Sequence, residues 1–250
     1  SGTHNSGKSS YLGPWFSNEQ VREFLDGNGY PYQTLSADKR AMTVAQKIAD
    51  GKIVGYMAGR MEFGPRALGA RSILGDPRSK ETQTVMNLKI KYRESFRPFA
   101  PTVLEEDVSD YFEMDRSSPY MLFVAKVNKD RCLPPPANDD LPTLDRLKIK
   151  RSDIPAVTHL DYTARLQTVC EEDKKDYYDI ISAFKDLTGY GVMVNTSFNV
   201  RGEPIVCSPE DAYRCFMNTE MDYLVIGNVW MSKKEQSQDL PKQQFIPIPD

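Results

Sequence analysis

Histidine and cysteine are scarce in this chain of 250 residues: His4 and His159, and cysteines at 132, 170, 207 and 215. The cysteines form no CxxC pair, and no His/Cys set has the spacing of a zinc site. They read as reduced thiols of a cytoplasmic protein. No apolar run approaches the ~20 residues that span a bilayer, and the first residues carry no signal-peptide pattern. Positive charge is not in excess either. Lys and Arg number 32 against 35 Asp and Glu, a net charge of −3, which argues against a general nucleic-acid binder with its strongly basic domain. There is no internal repeat. What remains is 40% hydrophobic and 27% charged, a globular composition long enough for one large domain or a domain with an arm.

Charge is unevenly placed. From Arg60 to Arg97 there are nine lysines and arginines against four acids, a local net of +5 in a chain of net −3. The densest part packs Lys89, Lys91, Arg93 and Arg97 into nine residues and then breaks into Pro98-Phe99-Ala100-Pro101. Like charges that close repel. A basic island in an acidic protein is the footprint of a phosphate site, and ATP is the commonest small polyanion. Taken alone, the run reads equally well as a charged helix end before a loop.

Around this island, Ser17 with Gln20 forms a capping box for a short helix ending near Gly27. A second helix is expected over 36–50, with Ser36 as N-cap and Gly51 as stop. Ile53–Met57, Ala100–Leu104, Met121–Val127, Arg165–Val169, Gly191–Asn195 and Asp222–Ile226 read as strands. Ser79 caps a helix leading to the basic cluster, Lys174–Leu187 is amphipathic, and Ser208-Pro209-Glu210-Asp211 opens another helix. The proline-rich stretch within 128–150 reads as an exposed loop. Strands and helices alternate irregularly, which predicts an α/β or α+β protein with a mixed sheet flanked by helices. Residues 1–35 are expected as an arm with a short helix, 36–232 as the domain, and 233–250 as a polar tail.

Gly2-Thr-His-Asn-Ser-Gly-Lys8-Ser9 matches the P-loop pattern letter for letter, but a P-loop follows a strand and opens a helix. No strand precedes it here, and Gly13-Pro14 stops a helix after one turn. Two other segments are richer in chemistry. His159, Asp161, Thr163, Arg165 and Gln167 alternate, so on a strand they share one face. That face is either a solvated sheet surface or a cleft wall on which Arg165 reaches an anion as a planar fork. Asn195-Thr-Ser197-Phe-Asn199 follows an apolar strand, where α/β proteins place ligands. Ser197 and Asn199 then bind phosphate or ribose, or else hold their own turn. Arg66 and Arg71 face the same choice between a ligand and Glu62.

Four segments in this order, MEFGPRALGARSIL (61–74), KYRESFRPFAP (91–101), PAVTHLDYTARLQTV (155–169) and NTSFNVRGEPIV (195–206), resemble the C-terminal domain of the O-carbamoyltransferases of nodulation-factor, cephamycin and tobramycin type. The resemblance covers roughly residues 40–230. It implies a YrdC-like twisted mixed sheet with a concave basic groove. It also implies activation of carbamoyl phosphate with ATP, with Mg²⁺ as counter-ion, to carbamoyl-adenylate. Lys91 and Arg97 would be catalytic, holding carbamoyl phosphate and the ATP phosphates. Arg165 and Ser197 would complete the pocket, with Arg93 and Asn199 beside them, and no metal would be bound by protein ligands. A metal-dependent, Kae1-like N-terminal domain would pass the carbamoyl group to an acceptor hydroxyl. Its histidine motif is absent from this sequence, so it is expected on a preceding segment or a partner chain.

Other readings stay open. A threonylcarbamoyl-adenylate synthase would need threonine and bicarbonate instead of carbamoyl phosphate. A non-catalytic nucleotide-binding or docking module would bind ATP and release no pyrophosphate. RNA binding in the groove would show steep salt dependence.

Overall fold

The computed structural model describes residues 10–134 and 149–237. The P-loop-like segment through Ser9, His4, most of the proline-rich loop and the tail from 238 lie outside the described residues. The α-helices among the described residues are α1 (Asn18–Gly27), α2 (Ala37–Ala49), α3 (Lys80–Lys89), α4 (Val108–Tyr111), α5 (Glu171–Thr188) and α6 (Pro209–Met217). The strands are β1 (Gln33–Thr34), β2 (Val54–Met57), β3 (Arg71–Gly75), β4 (Ala100–Leu104), β5 (Val124–Lys126), β6 (Thr163–Arg165), β7 (Gln167–Val169), β8 (Val192–Ser197), β9 (Tyr223–Ile226) and β10 (Val229–Ser232).

Eight strands form one mixed sheet in the order β1-β10-β9-β2-β3-β8-β4-β7, and β5 and β6 make a separate antiparallel pair. Within the large sheet β2/β9 and β4/β7 are parallel and the other neighbours antiparallel. Both faces are buried, so the inner strands read as apolar runs. Met193 of β8 packs with α2 and α5, while its neighbours Val192 and Val194 pack into the core that holds α1, α3 and α6. Ala41, Val44, Ala45 and Ile48 give α2 one apolar stripe at helical spacing, and Tyr177, Ile180, Ile181 and Phe184 do the same for α5.

Local sequence explains most of the element ends. Ser17 and Gln20 form the expected capping box, as do Ser208 and Asp211 at α6. Gly189 ends α5 in the left-handed conformation. Ser36 sits at the N-cap of α2, but its hydroxyl makes no capping bond. Residues 18–35 are integral to the fold: Val21 and Leu25 are buried in the core, and Gln33 and Thr34 pair with Trp230 and Val229.

Three departures from the sequence reading matter. β3 was given no element by the sequence reading; it is a central strand between β2 and β8. The alternating stretch 159–167 is not one strand. Tyr162 takes a left-handed φ of 61°, and Leu166 separates β6 from β7, which lie in different sheets. Gln167 therefore turns into the core, 2% exposed, away from Thr163 and Arg165. Finally, α5 begins at Glu171 and carries a break at Lys174 (φ −151°, ψ 67°).

Candidate functional site

A cleft of about 500 Å³ opens where β8 ends and β3 and β4 begin. Four arginines line it, Arg66, Arg93, Arg97 and Arg165, with His159, Asn195 and Ser197. A smaller pocket of about 250 Å³ continues it past Arg93, Arg97 and Ser197 to Lys91, Asn199 and Arg201. The structure thus gathers all six residues singled out in the sequence, from three separate stretches, and adds Arg66. No carboxylate occurs among the described residues lining the larger cleft.

Arg93 and Arg97 are aimed from below. The buried amides of α3 turn the carbonyls of the 91–97 segment inward. Asn87 Nδ2 donates to Ser95 O (3.0 Å) and Arg97 O (2.8 Å), and Gln83 Nε2 donates to Phe96 O (3.1 Å) and Arg97 O (3.2 Å). Asn87 Oδ1 also accepts from Arg93 Nε at 2.6 Å, and the guanidinium lies 4.6 Å from the centre of the Phe99 ring. Burial, then the neighbouring Arg97, pulls Arg93 down to about 10.

Lys91 is placed differently from its neighbours. It is 6% exposed, and its ammonium is taken up by the Ser197–Asn199 turn. It donates to Ser197 O (2.5 Å), Asn199 O (2.9 Å), Asn199 Oδ1 (2.9 Å) and Ser197 Oγ (3.3 Å). Ser197 Oγ donates in turn to Asn199 Oδ1 at 2.7 Å. Burial pulls Lys91 down to about 7, with Arg93 adding to the pull. In this geometry Lys91 supports the turn, and the turn presents Ser197 to the cleft. The reversal that sends Lys91 inward and Arg93 outward runs through Tyr92, whose φ is 48°, a costly conformation for an aromatic residue.

Arg66 rides on a loop that sequence reading left undecided between Glu62 and a ligand. Glu62 is spent on backbone: its Oε1 accepts from the amides of Leu68 (2.7 Å), Ala70 (2.7 Å) and Arg71 (3.2 Å). Arg71 is fully buried and donates to the carbonyls of Gly59, Ala70, Pro14 and Cys207. Arg78 pairs with Asp76 through both carboxylate oxygens. The basic island therefore divides. Arg71 and Arg78 are structural, Lys91 braces the site, and Arg66, Arg93 and Arg97 line the cleft.

The opposite wall comes from β6 and the turn before it. Arg165 is held below its usual range by burial and then by Arg66, and its buried Nε has no hydrogen-bond partner among the described residues. Burial also lowers the His159 imidazole, against the opposing pull of Asp161. The Gln167 that sequence placed on this wall instead braces the floor. Its amide donates to Leu68 O (3.0 Å) and accepts from Asn195 Nδ2 (2.9 Å). Period-2 alternation pointed to the wrong face, and only the break at Leu166 could have shown it.

Residues 45–233 match the model of the carbamoyltransferase C-terminus family, and the chain belongs to that family. It is 56% identical to an uncharacterised protein of Synechocystis sp., covering 94% of this chain and 39% of that protein. It is 41% identical to the nodulation protein NolO of Bradyrhizobium diazoefficiens, over 91% of this chain and 39% of NolO. A 3'-hydroxymethylcephem-O-carbamoyltransferase of Amycolatopsis lactamdurans is 33% identical over 75% of this chain and 32% of its own length. The chain thus spans under two-fifths of these relatives. A solved structure of full-length HypF, in a phosphate- and nucleotide-bound form, aligns with a TM-score of 0.45 at 15% identity, over 82% of this chain and 22% of that one. No helix among the described residues is long and apolar enough to cross a membrane.

Proposed function

We propose that this domain activates carbamoyl phosphate with ATP, forming carbamoyl-adenylate and releasing phosphate and pyrophosphate. The observation that carries the reading is the convergence of Arg66, Arg93, Arg97 and Arg165 on one cleft, with Arg165 Nε buried and without a partner among the described residues. Guanidinium groups held together and partly desolvated destabilise one another, and a bound polyanion reverses that cost. Membership of the carbamoyltransferase family selects the polyanions.

Carbamoyl phosphate loses its phosphate to water, leaving carbamate. A carbamate oxygen then bonds to the α-phosphorus of ATP as the bond to the pyrophosphate oxygen breaks, and pyrophosphate leaves with the electron pair. Negative charge spreads over the phosphoryl oxygens and the leaving group, where pre-placed Arg97 and Arg165 stabilise it. Ser197 and Asn199, braced by Lys91, complete the phosphate pocket. No protein nucleophile is required. Among the described residues no three or more His, Cys, Asp or Glu side chains gather to hold a metal. Mg²⁺ would arrive on the phosphate oxygens of ATP, keeping most of its waters. We assign transfer to an acceptor hydroxyl to a Kae1-like domain outside this chain.

Pyrophosphate release by the purified chain, with ATP and Mg²⁺, tests the reading. Release should require carbamoyl phosphate and be lost in Arg97→Ala and Arg165→Ala. ATP binding without any release would favour the non-catalytic module. Release that instead requires threonine and bicarbonate would favour threonylcarbamoyl-adenylate synthesis.

A further inference from the structure

A pocket of about 560 Å³ shares no lining residue with the arginine cleft. It lies where the start of α2 (Ala37, Asp38), the residues after β2 (Ala58, Gly59) and the first turns of α5 meet Tyr11 of the N-terminal arm. Lys174 has no counterpart in it. α5 is broken at this residue (φ −151°, ψ 67°), so its side chain leaves the ridge on which Glu171, Lys175 and Asp179 pair at helical spacing. The half-buried amine lies instead over the ring of Tyr11, 4.0 Å from its centre. The Tyr11 hydroxyl donates to Leu68 O at 2.8 Å, which fixes that wall. Gly59 flanks the amine and leaves room for an incoming group, since even an added Cβ would stand 4.0 Å from Nζ.

The neighbouring carboxylates are engaged elsewhere. Asp176 pairs with Arg40 at 2.7 Å and Asp179 with Lys175 at 3.0 Å, and Glu62 Oε1 accepts from three backbone amides. Lys174 Nζ makes no hydrogen bond and no ion pair among the described residues. Burial pulls it down to about 8, against the opposing field of Glu62 and with the help of Arg71. An amine desolvated against an aromatic wall, without an anionic partner, is poised as a nucleophile. Lys91 lies lower still but lacks the geometry: it is 6% exposed, and Ser197 and Asn199 take up its protons. The pocket also selects the electrophile. Asp38, Asp173, Asp176 and Asp179 line it against Arg60 and Lys175 beside Lys174 itself. An excess of carboxylate repels an anionic acyl donor and admits a small neutral one.

We propose that Lys174 is a modification site, carbamoylated by isocyanic acid, the neutral molecule that carbamoyl phosphate releases when it eliminates phosphate in free solution. The amine nitrogen bonds to the isocyanate carbon as the C=N π pair moves onto the isocyanate nitrogen. A proton passes from the amine nitrogen to that nitrogen, leaving a neutral urea. This inference rests on the carbamoyl phosphate reading above only for the source of the electrophile.

Brief treatment of the folded chain with dilute potassium cyanate at pH 7, followed by peptide mass spectrometry, tests it. Lys174 should be carbamoylated at least about tenfold faster than the exposed Lys39 of α2, because far more of it is unprotonated, and ahead of Lys91. Tyr11→Phe keeps the ring and should keep the preference; Tyr11→Ala admits water and should lose most of it. Unfolding in guanidinium chloride should abolish it. Carbamoyl phosphate in place of cyanate should label the same lysine after a lag. Lys174 reacting no faster than Lys39, or Lys91 reacting first, overturns the proposal, and labelling by carbamoyl phosphate without a lag overturns isocyanic acid as the donor. Cyanate is added as such, so Lys174 labelled first in a chain that releases no pyrophosphate would sustain this inference and sink the adenylation reading.

Discussion

Gly69 is the point at which the cleft is most sensitive to a single atom. Its φ is +90°, and an added Cβ would lie 2.3 Å from Cδ1 and 2.5 Å from Cε1 of Tyr177. The ring cannot swing aside: Tyr177 is fully buried on α5 and stacked on Tyr56 at 5.9 Å. The backbone cannot retreat easily either, because the amides of Leu68, Ala70 and Arg71 are tied to Glu62 Oε1 and that of Gly69 to Ser72 Oγ (3.0 Å). For Gly69→Ala, left-handed backbone costs about 1 kcal/mol, and overpacking against a fixed ring about 2 kcal/mol more. A total of about 3 kcal/mol lowers Tm by about 6–12 °C in a domain of this size. Thermal unfolding followed by circular dichroism reads this directly. Tyr177→Leu in the Gly69→Ala background should return at least about 1 kcal/mol through coupling of the two sites. A loss under about 1 kcal/mol, or strict additivity of the two changes, would refute the contact as the reason for glycine here. Because the same loop carries Arg66, folded Gly69→Ala protein should also bind tripolyphosphate more weakly than the parent.

Asn87→Ala removes three hydrogen bonds of a fully buried amide; it should cost about 2–4 kcal/mol in urea unfolding and weaken polyphosphate binding through Arg93 and Arg97. Arg165→Lys should bind tripolyphosphate nearly as poorly as Arg165→Ala, because an ammonium lacks the planar fork; full rescue by lysine would contradict the geometry. Lys91 sits at about 7 in the folded chain against roughly 10.4 unfolded, so above pH 7 the unfolded state holds the extra proton. Stability should therefore rise with pH, by about 2 kcal/mol between pH 7 and 9 from Lys91 alone. Lys174, lowered to about 8 by burial, acts in the same direction. Urea midpoints at pH 7, 8 and 9 check the sign, and Lys91→Met should flatten the slope.

The helices other than α4 were legible from local signals: capping boxes at Ser17 and Ser208, a stop at Gly189, and apolar stripes at helical spacing. The mixed sheet followed from the irregular alternation of elements, but β3 did not. Arg71 opens that strand and is buried against carbonyls that sequence cannot bring near it. Charge clustering found the site segments, and the fold gathers Lys91, Arg93, Arg97, Arg165, Ser197 and Asn199 in or around one cleft. It could not assign parts within them. Lys91 and Arg93 look alike in a row of cations; only the reversal at Tyr92 buries one and turns the other, half-buried, to the cleft. The competition of Glu62 for Arg66 or Arg71 was a fair reading of a carboxylate close in sequence to both. It loses because the segment is not helical and its amides need an acceptor more than the arginine does.

The buried polar side chains around the cleft share one use. Glu62, Gln83, Asn87, Gln167 and Asn195 are each 5% exposed or less, and each bonds to backbone of the loops that carry the arginines or to a side chain that does. Breaking such bonds in the interior is costly, so the carbonyls and amides they hold are fixed, and with them the directions of the guanidinium groups, although Glu62 Oε2 and Asn195 Oδ1 are buried without a partner among the described residues. Preorganisation of this kind is what electrostatic catalysis needs, because donors already in place lose nothing when charge develops. It also separates two classes of variant. Changing an arginine should weaken polyanion binding and leave folding intact or improved, since a repelling charge is removed. Changing one of the five supports should weaken both together. A support variant that lost binding at full stability would place that side chain in contact with the ligand instead.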